Sequence, residues 1–159
     1  MRKLGIIIIF CTLILDQISK YIVVDYFTSN FNIIKLTSFF NIVLVYNKGI
    51  SFGLFNNLAY SNYLFSILSL SITYFLLKWL RNSAILLEIV ALGMIIGGAL
   101  GNIVDRILYQ GVVDFIQLHW KEFYWPSFNI ADSAICIGVL LLIILNLINE
   151  NKITEEKST

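Results

Sequence analysis

Four stretches of this chain are each long and apolar enough to cross a lipid bilayer, and that limits the fold more than any other feature. A spanning helix needs about 20 mostly apolar residues. Residues 4–24, 60–80, 84–105 and 129–149 meet the requirement. In hydrocarbon every backbone N–H and C=O must be satisfied within the protein, so runs of this length predict helices. The composition agrees, with 58% of residues hydrophobic and 13% charged where a soluble domain carries about 25% charged. Mean hydropathy is +0.83. The expectation is a single membrane-embedded domain of the all-α class. A net charge of +1 gives no footing for nucleic acid.

Met1-Arg2-Lys3 precedes the first run, as in a signal peptide, but no small-x-small cleavage pattern follows. Phe10 before Cys11 is too bulky for a lipoprotein cleavage site, so the segment reads as an uncleaved first span. Arg2, Lys3, Lys78, Arg81, Lys152 and Lys157 fall at three places that share one side if there are four spans. Lys and Arg in short loops mark the cytoplasmic side, so both termini are expected there. Segments 25–59 and 106–128 then face outward, and the polar tail 150–159 is expected to fray. Cys11 and Cys136 read as small buried apolar residues, and their spacing excludes a zinc site.

The two outward segments are not ordinary polar loops. The run Asn41–Tyr46 is β-prone. Residues Phe115 to Trp125 are rich in aromatic rings of the kind that favour the membrane–water interface. Both segments are expected to lie against the bilayer surface, offering an apolar face to a lipid or an extended peptide.

Ionisable groups inside spans are costly, and each is a functional candidate. Asp16 and Lys20 are four apart on one helix face and suit an ion pair or a supporting role. Asn47-Lys48-Gly49-Ile50-Ser51-Phe52-Gly53 suits either a turn or a backbone edge that receives a peptide strand. Gly93, Gly97 and Gly101 recur every four residues, which allows close helix approach. Asn102, Asp105 and Arg106 share a face at the end of the third span. Asp105 and Arg106 are adjacent and pair poorly with each other, so Arg106 is expected to meet another carboxylate or a lipid phosphate.

Asp114 and Asp132 are single acids in strongly apolar surroundings, both at the outer side, with Asn129 one helical turn before Asp132. Two close carboxylates can share a proton and so supply one acid and one base. Capping or proton-relay roles fit the same residues. Other hydrolytic machinery has less support in the sequence. His119 is the single histidine and reads as an interfacial loop residue. There is no H-E-x-x-H, and although Gly49-Ile50-Ser51-Phe52-Gly53 has the G-x-S-x-G spacing, a Ser–His pair would need the single His119 to reach its serine. A non-enzymatic alternative is a proton-coupled carrier or an assembly subunit, although the acids gather at one side and no transporter-type repeat is present.

Five motifs that agree in order and spacing make the chain resemble lipoprotein signal peptidases (signal peptidase II) along nearly its whole length. They are Asp16-Gln17-Ile18-Ser19-Lys20; Asn47-Lys48-Gly49 with Phe52 and Gly53; Gly97 to Arg106; Val112-Val113-Asp114-Phe115; and Phe128-Asn129-Ile130-Ala131-Asp132. Ile50 and Ser51 stand where the family commonly has two alanines. The resemblance implies four transmembrane helices, a small extracytoplasmic β-cradle and a short interfacial helix. It implies a monomeric aspartic endopeptidase of the bacterial inner membrane that needs no cofactor and no metal. Such an enzyme cleaves a diacylglyceryl-modified prolipoprotein before the lipidated cysteine, through two aspartates and an activated water, and is sensitive to globomycin. Carried onto this chain, the catalytic pair is Asp114 and Asp132. Asn47, Gly49, Asn102, Asp105, Arg106, Asn129, Asp16 and Lys20 bind substrate or support the site. The partners are the prolipoprotein and membrane lipids.

Overall fold

The computed structural model describes residues 2–30, 32–49 and 60–158. Four long helices appear where the apolar runs predict them: α1 (Arg2–Ser29), α2 (Ser61–Asn82), α3 (Leu86–Tyr109) and α4 (Ile130–Ser158). All four contain a segment able to cross a membrane by length and hydropathy. The protein is a multi-pass membrane protein. Between α1 and α2 come β1 (Ile34–Lys35) and β2 (Phe40–Asn47). Between α3 and α4 come β3 (Val112–Trp120) and β4 (Phe123–Tyr124). Both pairs of strands therefore lie at one end of the bundle, opposite the short α2–α3 connection. The interfacial helix implied by the resemblance is not among the described elements, and Ile50 to Gly53 lie outside the described residues.

α3 is the axis of the bundle. In its most apolar window 61% of residues are buried, against 28% in α1, 17% in α4 and 11% in α2. α1, α2 and α4 each pack on α3, while α2 and α4 scarcely touch. Lipid tails are as apolar as leucine, so burial of apolar area does little to drive these helices together, and close packing must do it. The glycine stripe supplies that packing. A Cβ at Gly97 would lie 2.7 Å from the Ile9 carbonyl oxygen in α1, and one at Gly98 would lie 2.5 Å from the Ala131 carbonyl oxygen in α4. Many large apolar side chains, such as Ile7, Phe10, Leu68 and Ile143, point outward. They face what the hydropathy identifies as lipid.

The sheet is antiparallel in the order β1-β2-β3-β4. Its β2–β3 register places Val45 opposite Asp114 and Asn47 opposite Val112, with an irregularity between Ile42 and Val45. Such irregularities bend a strand and re-aim its side chains. A second apolar cluster of Val23, Phe27 and Phe115, joined by Ile42, Ile116 and Ile130, fastens the sheet to α1 and α4. Phe27 explains why α1 runs past residue 24 to Ser29: the extra turn supports the sheet. α4 likewise continues as helix to Ser158, where fraying was expected after residue 149. Cys11 and Cys136 are exposed rather than buried. Cys136 borders the cleft described below, and for Cys11, among apolar residues of α1 that point outward, lipid leaves no water to escape, so burial gains it nothing.

Gly97→Ala and Gly98→Ala each force backbone apart, and overpacking of this kind costs about 1–3 kcal/mol. Both variants are expected to melt at lower temperature in detergent than the parent, whereas Leu68→Ala on the lipid-facing surface leaves the midpoint unchanged.

Candidate active site

Asp114 and Asp132 come from different elements, and three local features bring them together. First, α3 ends at Gln110, whose φ of 55° is left-handed and turns the chain back. Gly111 then passes close to β2; a Cβ there would sit 3.2 Å from the Asn47 carbonyl oxygen. Second, the Val113 N–H donates to Asp105 Oδ2 at 3.1 Å, which ties β3 to the last turns of α3. Third, the Phe128 carbonyl accepts from the Phe115 and Ile116 N–H groups at 3.0 and 2.8 Å, while the Phe128 N–H donates to the Ile116 carbonyl at 3.0 Å. The chain entering α4 thus lies beside Asp114. Asp132 falls in the first turn of α4, where the helix dipole favours a negative charge.

Asn129 bridges the two acids. Its Nδ2 donates to Asp114 Oδ1 at 2.7 Å. Its backbone N–H donates to Asp132 Oδ2 at 3.3 Å, and its Oδ1 accepts the Asp132 N–H at 2.9 Å. The other carboxylate oxygens have their own donors. Asn47 Nδ2 reaches Asp114 Oδ2 at 3.0 Å, and Asn102 Nδ2 reaches Asp132 Oδ1 at 2.8 Å. Gly49 supports Asn47 by donating its N–H to Asn47 Oδ1 at 3.1 Å.

Beneath this pair lies a buried charge cluster. Lys20, fully buried in α1, contacts Asp16 Oδ2 at 2.8 Å and Asp105 Oδ2 at 2.7 Å. Its Nζ also donates to Asn102 Oδ1 at 3.0 Å. Asp16 Oδ1 accepts the Ala131 N–H at 2.9 Å, satisfying a donor in the first turn of α4. Burial, and then the charge of Asp132, pushes the Asp114 carboxyl up to about 7, against the opposing pull of its Asn47 and Asn129 hydrogen bonds and of Lys20. Desolvation disfavours a carboxylate, and a neighbouring like charge disfavours it further.

A cleft of about 570 Å³ opens over the pair. Asn47, Gly49, Asn102, Arg106, Asp114 and Asp132 line it, together with Trp125, Pro126, Phe128, Ile135, Cys136 and Ile137. Asp16, Lys20, Asp105 and Asn129 sit beneath it, each fully or almost fully buried. The ten residues singled out in the sequence therefore form one continuous assembly. No group of His, Cys, Asp and Glu suited to hold a metal is present among the described residues.

Arg106 forms no ion pair among the described residues. Its Nη1 donates to the Asn102 carbonyl at 3.1 Å, and its Nε is buried without a partner. Asp105, the acid next to it in sequence, is already engaged by Lys20 across the helix interface. His119 is a β3 residue stacked on Tyr124, not a loop residue. The aromatic segment as a whole is largely strand, because residues Val112 to Phe115 are buried on both faces and so show no polar alternation. Gln17 was missed. Its Nε2 donates to Asp105 Oδ1 at 2.9 Å and to the Gly101 carbonyl at 3.2 Å. Its position beside Asp16 in a span was the available signal, since a polar amide in a span needs partners.

The comparisons with known proteins come from sequence and from structure. Residues 8–148 match the family model described as Signal peptidase (SPase) II. A lipoprotein signal peptidase of Thermodesulfovibrio yellowstonii is 44% identical over 143 residues, covering 87% of this chain and 91% of that relative. One from Anaplasma marginale is 36% identical over 151 residues, covering 95% of this chain and 88% of its own length. A bacterial membrane enzyme solved by the in meso method superposes with a TM-score of 0.79 at 31% identity, covering 94% of this chain and 91% of that one.

Removing one partner of a buried ion pair leaves an uncompensated charge and costs about 3–5 kcal/mol. Lys20→Met strands both Asp16 and Asp105 and is expected to lower stability by that amount. Denaturation followed by tryptophan fluorescence in detergent checks it; an unchanged midpoint would show that the cluster is not holding the bundle.

Proposed function

Because this chain belongs to the signal peptidase II family, we propose that Asp114 and Asp132 are the pair of carboxylates with which it cleaves. Lipoprotein signal peptidases remove signal peptides from prolipoproteins, and this chain is a peptidase of that class. The observation that carries the assignment is the Asn129 bridge, which holds two carboxylates from β3 and α4 at one cleft. Sharing one proton, the pair supplies a base and an acid. The ionised member takes a proton from water as the water attacks the scissile carbonyl. The protonated member donates to the carbonyl oxygen, and the leaving amine is then protonated.

The surroundings support a lipidated peptide as substrate. The cleft's apolar part, including Trp125, Phe128, Ile135 and Ile137, suits the acyl chains on the cysteine. The side of α3 between α2 and α4 is not closed by contact between those helices, which leaves room for the signal helix. β1 pairs with β2 only at Asn41 and Ile42, so from Val43 to Asn47 one edge of β2 has no strand beside it among the described residues. An extended scissile segment lies along that edge by β-augmentation. Arg106, at the cleft, holds a backbone carbonyl or a lipid phosphate. All supporting residues come from one chain, so a monomer suffices. The site faces outward from the bacterial plasma membrane with both termini cytoplasmic, in line with the placement of Arg2, Lys3, Lys78 and Arg81. Cleavage is blocked by globomycin.

Purified protein is expected to cleave a diacylglyceryl-modified prolipoprotein in liposomes. Positioned acid–base groups contribute about 100-fold or more, so Asp114→Asn and Asp132→Asn each lose at least that much with folding intact. A folded variant that keeps near-parental activity removes that residue from the mechanism. Activity is also expected to follow a bell-shaped pH profile. It falls at low pH, where both acids are protonated, and again as pH rises through about 7, where Asp114 loses its proton.

A further inference from the structure

Each of the three asparagines that donate to the two aspartates is held in one orientation by a group that can only donate. An amide side chain has a donating end and an accepting end, and flipping it reverses the two. Asn129 Oδ1 accepts the Asp132 N–H, and Asn47 Oδ1 accepts the Gly49 N–H. These are backbone donors, so each orientation follows from local chain geometry. Asn102 differs, because its Oδ1 accepts from the ammonium of Lys20 at 3.0 Å, with a longer contact of 3.3 Å from Asn129 Nδ2. An ammonium has three donors and no acceptor. Asp16, Asp105 and Asn102 are its three acceptors here. The Asn102 amide nitrogen is left to face Asp132, at 2.8 Å.

We propose that Lys20 acts through Asn102 as a positioning residue for Asp132, making Asp132 the resting carboxylate and water-activating base and leaving the shared proton on Asp114. This rests on the dyad mechanism proposed above and adds the roles of its two members. Four features of the geometry separate the acids. Asp132 alone lies in the first turn of a helix, whose aligned peptide dipoles favour a negative charge. Its Oδ1 takes its hydrogen bond from an amide that a cation polarises. Its Oδ2 is fixed by the backbone N–H of Asn129. Asp114 sits on a strand, almost without exposed surface, and takes neutral amide donors from Asn47 and Asn129. Among the described residues, the charged groups around the pair include Lys20 and Asp16 on α1, with Asp105 and Arg106 on α3. Arg106 lines the same cleft without forming an ion pair to either acid.

Besides Asn129, which donates to both acids and to Asn102 Oδ1, each aspartate has an amide supporter of its own, Asn102 for Asp132 and Asn47 for Asp114, and these two act on different limbs of the pH profile. In a dyad sharing one proton, the acid limb of kcat reports formation of the resting carboxylate. The alkaline limb reports loss of the shared proton. Prolipoprotein cleavage is measured across pH for the parent, Asn102→Ala and Asn47→Ala, with Asp114→Asn and Asp132→Asn alongside. For Asn102→Ala the acid limb is expected to move up by about one pH unit, with the alkaline limb in place and KM within about twofold. For Asn47→Ala the alkaline limb moves up and the acid limb stays. If Asn102→Ala does not fold, Asn102→Ser carries the same expectation, since its hydroxyl is too short to join Lys20 to Asp132. The opposite pattern makes Asp114 the base and overturns the proposal. Folded Asn102 variants with both limbs unmoved show that Asn102 only holds the fold, which also overturns it. If the parent leaves the precursor intact, or either aspartate variant stays active, the dyad mechanism itself fails and this inference falls with it.

Discussion

The ammonium of Lys20 is the contact on which the rest of the structure depends. A charged group in the interior of a membrane protein is tolerated only where protein groups replace water. Lys20 has three protons and meets three acceptors, from Asp16, Asp105 and Asn102. Two of these are on α3, so one cation on α1 locks the two helices in both register and rotation. The anions it neutralises then do further work. Asp16 receives the first-turn N–H of Ala131, and Asp105 receives the N–H of Val113. The start of α4 and the start of β3, which carry Asp132 and Asp114, are therefore both positioned from the same buried charge cluster.

The glycine stripe and this cluster depend on each other. Helices held at ordinary side-chain separation would leave a lysine on α1 short of acceptors on α3. Gly97 lets α1 approach and Gly98 lets α4 approach, and Gly101 leaves room for the carboxylate of Asp16 against the α3 backbone. Since apolar area gives little drive to helix association in lipid, close backbone contact and buried polar bonds share the task. The same arrangement grades the site from dry to wet. Lys20 and Asp105 are sealed beneath, while Asp132 borders a cleft that water and a peptide can enter.

Much of this was legible in the chain. The four spans were visible because a bilayer imposes a length and an apolar composition that soluble proteins rarely combine. Polar residues in those spans were visible for the converse reason: Asp16, Lys20, Asn102, Asp105, Asp114, Asn129 and Asp132 each need a partner that local sequence does not supply. The strand Phe40–Asn47 could be read from its β-branched and aromatic residues. Less legible was β3, whose buried stretch Val112–Phe115 has no two-residue alternation. Gln17 was hidden by its place next to Asp16, on what a helical wheel treats as another face.

The sequence by itself determined the membrane architecture, the inventory of polar groups and, through five ordered motifs, the family. These follow from hydropathy, helical spacing and residue identity, which are properties of short stretches. Only the tertiary structure decided which donor meets which acceptor. Asp114 and Asp132 are eighteen positions apart on a strand and a helix, and nothing in their spacing shows that Asn129 bridges them. Nor does it show that Asn102 stands between Lys20 and Asp132 with its amide turned one way. Hydrogen bonds act over about 3 Å and depend on direction, so they are settled by how α1, α3, β3 and α4 pack.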